Sequence, residues 1–351
     1  MPDPAIPRKT PTPAPASNDS RPRARRWRRW LLALFAVLVL GLLLSRVHQV
    51  DWAGAWKALK SYPPVLLLEV LLIATVSHAL YGSFDLIGRW HVAHRLPAVR
   101  TWAIAVTSYA FNLNLGALIG GVALRVRLYS RAGLDEAQTA QVIGLSLATN
   151  WLGYGLVAGG LFAARAVKLP RSMPIGASML QALGFLMIGL VVAYVVGCRL
   201  ARGREWRLRG RRLHLPPARI ALLQLLLSTA NWCLMGAAMY LLLGQKLPYS
   251  TALGVLMAAS IVGVVTPIPA GLGVLEAVYL ALLSRSLGQG TVLGAVLAFR
   301  ALYYLLPLAG ALPMYLALER LATTHPARPS DNDPRSGQPA RAATGVPATQ
   351  A

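Results

Sequence analysis

Cysteine is almost absent from this chain: there are two in 351 residues, Cys198 and Cys233, without metal-ligand spacing. That excludes a disulfide framework and a zinc site and leaves both as packing residues. Charge is scarce as well, at 13% of residues, and acids are scarcest, with 12 Asp and Glu against 35 Lys and Arg. In a soluble protein a formal charge of +23 would point to nucleic acid. Here the arginines stand in short blocks between apolar runs, the distribution that holds loops on the cytoplasmic side of a membrane, so nucleic acid is excluded as a partner. Also missing are a phosphate-cradling loop, a nucleophile paired with a base, and a cluster of metal ligands. No catalytic residue, metal or cofactor is assigned, an ATPase is excluded, and the chain reads as a non-enzyme.

What the sequence has in abundance is apolar length. Hydrophobic residues make up 56% of it, in several runs long enough to cross roughly 30 Å of hydrocarbon. The fold class is all-α, a polytopic inner-membrane helical bundle. Residues 1–26 read as a disordered basic tail, 27–320 as the transmembrane domain, and 321–351, rich in Pro, Ala, Ser and Thr, as a second disordered tail. The arginines from Arg21 to Arg29 hold the N-terminus inside. No small-x-small cleavage site follows the run Trp30–Leu44, since Ser45, Arg46, Val47 and His48 come next, so it reads as an uncleaved first span. Pro64 to about Phe84 returns the chain to a loop with Arg89, Arg95 and Arg100. His91 and His94 in that loop have the spacing of a helical metal pair, but no further ligand lies nearby and they are read as interfacial.

The segment Thr101–Leu124 has basic flanks on both sides, since Arg125, Arg127 and Arg131 follow it. Both ends therefore belong on the cytoplasmic face, and the simplest solution is a re-entrant hairpin. Its centre, Asn112, Asn114 and Gly116 followed by Gly120 and Gly121, has the polar and glycine content that a turn at depth requires. The alternative is a full span in which Asn112 and Asn114 bond to neighbouring helices. Gln138–Ala164 then crosses outward, Ile175–Val196 returns, and eight arginines lie between Arg199 and Arg219. Such a cluster attracts anionic head groups at about 1 kcal/mol per basic residue, although retention of topology explains it equally well. Arg219–Leu243 crosses outward, and Thr291–Leu318 is the last span, carrying Arg300 well inside.

Between them lies the stretch that matters most. In the apolar run 251–283, Thr266, Pro267, Pro269, Gly271 and Gly273 fall just before Glu276. Two prolines without an N–H and two glycines stop any helix that enters from Thr251. Broken backbone at membrane depth survives only where protein or a water-filled cavity surrounds it, and a carboxylate one turn later needs a partner, a proton or water. Arg300 is the predicted partner. With Lys246 and Arg285 on external flanks, this segment is a second hairpin dipping from the opposite face.

About six full spans and two oppositely oriented re-entrant hairpins give eight membrane segments. Residues 30–164 and 175–318 repeat one order with every direction reversed, an inverted-topology duplication of the kind used by transporters. The proposed cytoplasmic blocks hold 20 basic residues and the external loops 8, which places both termini inside. No periodic sequence identity accompanies the symmetry.

Ser108–Gly116, Gly120–Arg125 and Arg127–Leu134 resemble the first signature of the lysylphosphatidylglycerol synthase/flippase transmembrane family, especially its stand-alone YbhN-like members. Pro269–Glu276 is similar to its second signature, with Ala270 in place of the first glycine of a usual pair. The resemblance covers residues 30 to about 320. It implies a protein of the bacterial inner membrane related to the lipid-translocating domain of MprF. It does not imply synthesis, because the synthase uses a soluble domain and only about 30 residues follow Arg320, too few to bury a core. The functional expectation is a flippase-like translocator of an anionic-headed lipid, such as a phospholipid. Its head would be received by Asn112, Asn114, Gly116, Gly120, Gly121, Arg125, Arg127, Arg131, Thr266, Pro267, Pro269, Gly271, Gly273, Glu276 and Arg300. Two alternatives stand beside it: a transporter of a polyprenyl-phosphate-type amphiphile, and a non-transporting membrane partner of a lipid-modifying enzyme.

Overall fold

Prolines open the helices of this protein. In the computed structural model, Pro63, Pro97, Pro217 and Pro248 are the N-caps of four helices, where a missing N–H costs nothing because the first turn has no carbonyl to meet it. The structure describes residues 56–57, 59–167, 176–201, 205–208, 211–214, 216–266 and 273–324, and all of them belong to the unit 51–351. The first span, Trp30–Leu44, and the two tails beyond these limits lie outside the described residues.

The elements are α1 (Pro64–Val92), α2 (Ala98–Leu115), a π-helical segment Ala117–Ala123, α3 (Leu124–Arg131), α4 (Glu136–Ala163), α5 (Ala177–Ala201), α6 (Ala218–Leu242), α7 (Tyr249–Val265), α8 (Val274–Leu287), α9 (Gln289–Phe299), a second π segment Arg300–Leu305, and α10 (Leu306–Thr324). Five helices among the described residues have the length and composition to cross a membrane, the last being the continuous run Gln289–Leu321 through α9 and α10. The bundle is all-α as expected, and its arginine-rich loop carries a short hairpin in which β1 (Glu205–Leu208) and β2 (Arg211–His214) pair antiparallel with Glu205 opposite His214. The span expected to end near Phe84 also runs on to Val92. Asp85 is tolerated inside it because Arg125 neutralises it.

Helices α1 and α6 cross at mid-length, where Ser77 Oγ donates to Asn231 Oδ1 at 2.7 Å. Around this crossing α1 packs on α2 and α4, and α6 packs on α7 and α9; α2 lies along α10, and α7 along α4. The contacts α1–α2, α1–α4 and α2–α10 thus recur as α6–α7, α6–α9 and α7–α4. Small residues allow the close approaches, since a Cβ on Gly153 of α4 would stand 2.1 Å from Ser228 Oγ of α6. Helix α5 turns its apolar side chains outward, with Phe185, Leu186 and Leu190 about 60% exposed, as a lipid-facing helix does.

Both predicted breaks interrupt helices. Helix α2 stops at Gly116, whose φ of 88° is costly for any residue with a Cβ, and the chain folds back. Gly120 then lies so close to the preceding arm that a Cβ on it would be 2.3 Å from the backbone of Phe111. Helix α7 stops at Val265, Thr266 is extended, and α8 restarts after Gly273 at φ 81°. Pro267, Pro269 and Gly271 lie outside the described residues between those two ends.

Candidate functional site

The second break brings two charges together. Glu276 falls in the first turn of α8, where the exposed N–H groups of a helix start favour a carboxylate. Arg300 opens the π segment of the last span. Its Nε donates to Glu276 Oε1 and its Nη2 to Oε2 at 3.0 Å, a two-bond fork with both side chains largely buried. The guanidinium also stands 5.7 Å from the ring centre of Tyr304.

The first break is tied to the same region. Asn114 Nδ2 donates to Ala110 O of its own helix at 2.8 Å and to Tyr304 O of the π segment at 3.0 Å. Asn112 O accepts from the N–H of Gly116 at 2.8 Å, which closes the end of α2, and its side chain lies against Gly121.

The three arginines that follow face two ways, and each has an acid that sequence reasoning missed. Arg125 is buried between α1 and α4, with Nη1 3.3 Å from Asp85 Oδ1 and 3.0 Å from Ser146 Oγ. Tyr129 OH donates to Asp85 Oδ2 at 2.7 Å, and the guanidinium stands 5.4 Å from the ring centre of Tyr81. On the other side of α3, Arg127 and Arg131 grip the two oxygens of Glu319 from α10, each at 2.7 Å. Asp85 and Glu319 each sit just beyond the apolar run assigned to their span, which is why hydropathy gave no reason to place them in the bundle.

Sequence reasoning also passed over a polar cluster at the crossing of α1 and α6. Ser77 meets Asn231 and Tyr303, and Tyr109 OH lies 3.5 Å from Tyr303 OH. The ring of His78 stands between Tyr109 and Tyr303. An ionisable residue within an apolar run is itself a signal, and His78 carried it. Among the described residues no group of three potential metal ligands occurs.

The sequence matches the model of the lysylphosphatidylglycerol synthase TM region over residues 30–311. It is 41% identical over 306 residues to the inner membrane protein YbhN of Escherichia coli (strain K12), a match that spans 87% of this chain and 96% of that protein. It is 26% identical over 285 residues to an uncharacterized protein, slr0712, of Synechocystis sp. (PCC 6803), covering 80% of this chain and 87% of the relative. This chain is a multi-pass protein of the bacterial inner membrane and a member of the lysylphosphatidylglycerol synthase transmembrane-region family.

Proposed function

We propose that the protein carries a lipid with an anionic head, such as a phospholipid, between leaflets through the space bounded by its two broken hairpins. The observation that carries this reading is the Glu276–Arg300 fork beside the second break. A carboxylate held on arginine next to interrupted backbone is an exchangeable anion. A phosphate offers the guanidinium the same paired oxygens and competes with Glu276, while acyl chains stay in the bilayer. Arg125, Arg127 and Arg131 have acidic partners of their own, so they serve first to hold the α2–α3 hairpin against α1, α4 and α10.

The recurrence of pairings between the halves supports an inverted repeat, with α2–α3 entering from the cytoplasm, α7–α8 from outside and both termini inside. No enzymatic step is part of this reading. A second reading, a non-transporting partner of a lipid-modifying enzyme, draws on the β1–β2 hairpin, which gives part of the basic loop a defined shape. A polyprenyl phosphate presents the same anionic chemistry as a phospholipid.

Reconstitution into liposomes with head-labelled phospholipid or polyprenyl phosphate, followed by an impermeant quencher, separates these. A translocator raises the quenchable fraction above that of protein-free liposomes. If neither lipid moves and the basic loop still retains a lipid-modifying enzyme, the partner reading replaces it.

A further inference from the structure

The buried cluster at the crossing of the two halves contains a polar atom that the ion pairs and the hairpins leave unexplained. His78, 4% exposed and near the middle of α1, has its Nδ1 2.8 Å from Ala74 O. A carbonyl oxygen only accepts, so Nδ1 carries the hydrogen and Nε2 presents a lone pair. That lone pair is buried and has no protein donor. The neighbouring hydroxyls are ordered. Ser77 gives its proton to Asn231 Oδ1, so its contact with Tyr303 is one in which Tyr303 donates. Asn231 Nδ2, also buried, is left with no acceptor.

We propose that His78 is a proton-binding site at the junction of the two halves, with Tyr109 and Tyr303 as the groups that accommodate its charged form. The imidazole ring centre is 4.8 Å from that of Tyr109 and 5.1 Å from that of Tyr303, both tilted, so an imidazolium lies within reach of two electron-rich rings. The rings that face it are Tyr109 from α2 and Tyr303 from the π segment; Asn231 from α6 meets the adjacent Ser77, and Tyr81, one turn along α1, is stacked on Tyr109. Asp85 and Glu276 are each taken up by an arginine. The step is a simple addition: a proton from solvent bonds to the Nε2 lone pair, Nδ1 keeps its hydrogen, and the ring becomes a cation.

This site is built to communicate. Tyr303 is three residues from Arg300 on the same π segment, a local widening of the helix that recurs at functional positions. Charge on His78 therefore acts on the segment that holds Arg300 to Glu276.

The test uses the full chain in lipid nanodiscs with ring-¹⁵N-histidine, the His78 signal being the one lost in His78→Gln. On acidification from about pH 8 to about pH 4, the Nε2 signal should pass reversibly from the lone-pair to the N–H form. Tyr303→Phe, which keeps the ring and removes the hydroxyl, should shift the midpoint. An Nε2 signal that stays in the lone-pair form across the range, or one protonated throughout, overturns the proposal. So does a midpoint unmoved by both Tyr303→Phe and Tyr109→Phe. The readout does not depend on transport. Titration without lipid movement removes the translocator reading alone, and lipid movement without titration removes the proton site alone.

Discussion

Arg300 reaches from the π segment of the last span to Glu276 in the first turn of α8, and the two form a largely buried fork. A charge buried in pairs is costly to leave single, because the remaining partner keeps its desolvation penalty without the attraction that offset it. Glu276→Gln and Arg300→Gln should each lower stability by about 3 kcal/mol, read as thermal unfolding in detergent. The double substitution should cost less than the sum of the two. Additive losses would show that the side chains do not act as a pair.

Asp85 and Arg125 form a deeper pair, 0% and 2% exposed. Asp85→Asn leaves the guanidinium buried with Ser146 and the Tyr81 ring as its polar company. We expect a loss of about 3–5 kcal/mol, larger than for Tyr129→Phe, which removes one hydrogen bond worth about 1–2 kcal/mol. Equal losses would mean that the ion pair contributes nothing beyond its hydrogen bonds.

The Glu319 clamp is closed on its Arg127 side, where the two side chains are 14% and 12% exposed, and more open at Arg131, 28% exposed. Glu319→Gln should cost about 3 kcal/mol, as for the Glu276–Arg300 fork, and only the share carried by Arg131 should shrink in high salt, because the more exposed pair is the one screened. A loss independent of salt would assign the whole effect to the Arg127 contact.

Gly120 tests the fold-back itself. Gly120→Ala places a methyl 2.3 Å from the Phe111 backbone, where no side-chain rotation relieves it, so the two arms must separate. The expected cost is about 3 kcal/mol, against about 1 kcal/mol for Gly116→Ala, where a positive φ disfavours a Cβ. The topology has its own check. With Cys198 and Cys233 replaced, Ala98→Cys and Ser130→Cys should both label from the cytoplasm, and labelling of either from outside would remove the inverted repeat.

His94 lies in the turn between α1 and α2, 5% exposed. Burial, with Arg89 adding to it, holds its imidazole below the usual histidine range. A folded value below the unfolded one means that the unfolded chain binds the proton more readily. This contribution to stability is present above the unfolded value near pH 6.5 and is lost as the pH falls through the folded one. His94→Gln should flatten that acid limb of the stability profile, and an unchanged limb would assign it to other groups.

The helices were legible because their signals are local: apolar runs of spanning length, and glycines where Gly116 and Gly273 need positive φ. The Glu276–Arg300 pair was legible too, since an acid and a base each isolated in apolar sequence have few other partners. What sequence could not give was contact across the bundle. Asp85 and Glu319 look like interfacial charges until α3 is placed between α1 and α10. Ser77 and Asn231 are ordinary helix residues until the two halves cross at them. The β1–β2 strands were hidden in a loop whose arginines read only as a topology signal.

The most direct test of the translocator reading is the liposome assay with wild type, Glu276→Gln and protein-free vesicles compared in one preparation. Wild type should expose head-labelled anionic lipid to an outer-leaflet quencher at least tenfold faster than protein-free vesicles, and Glu276→Gln should differ from wild type in rate while matching it in reconstituted amount. Identical exposure in all three, with either phospholipid or polyprenyl phosphate and with or without a proton gradient, would contradict the reading.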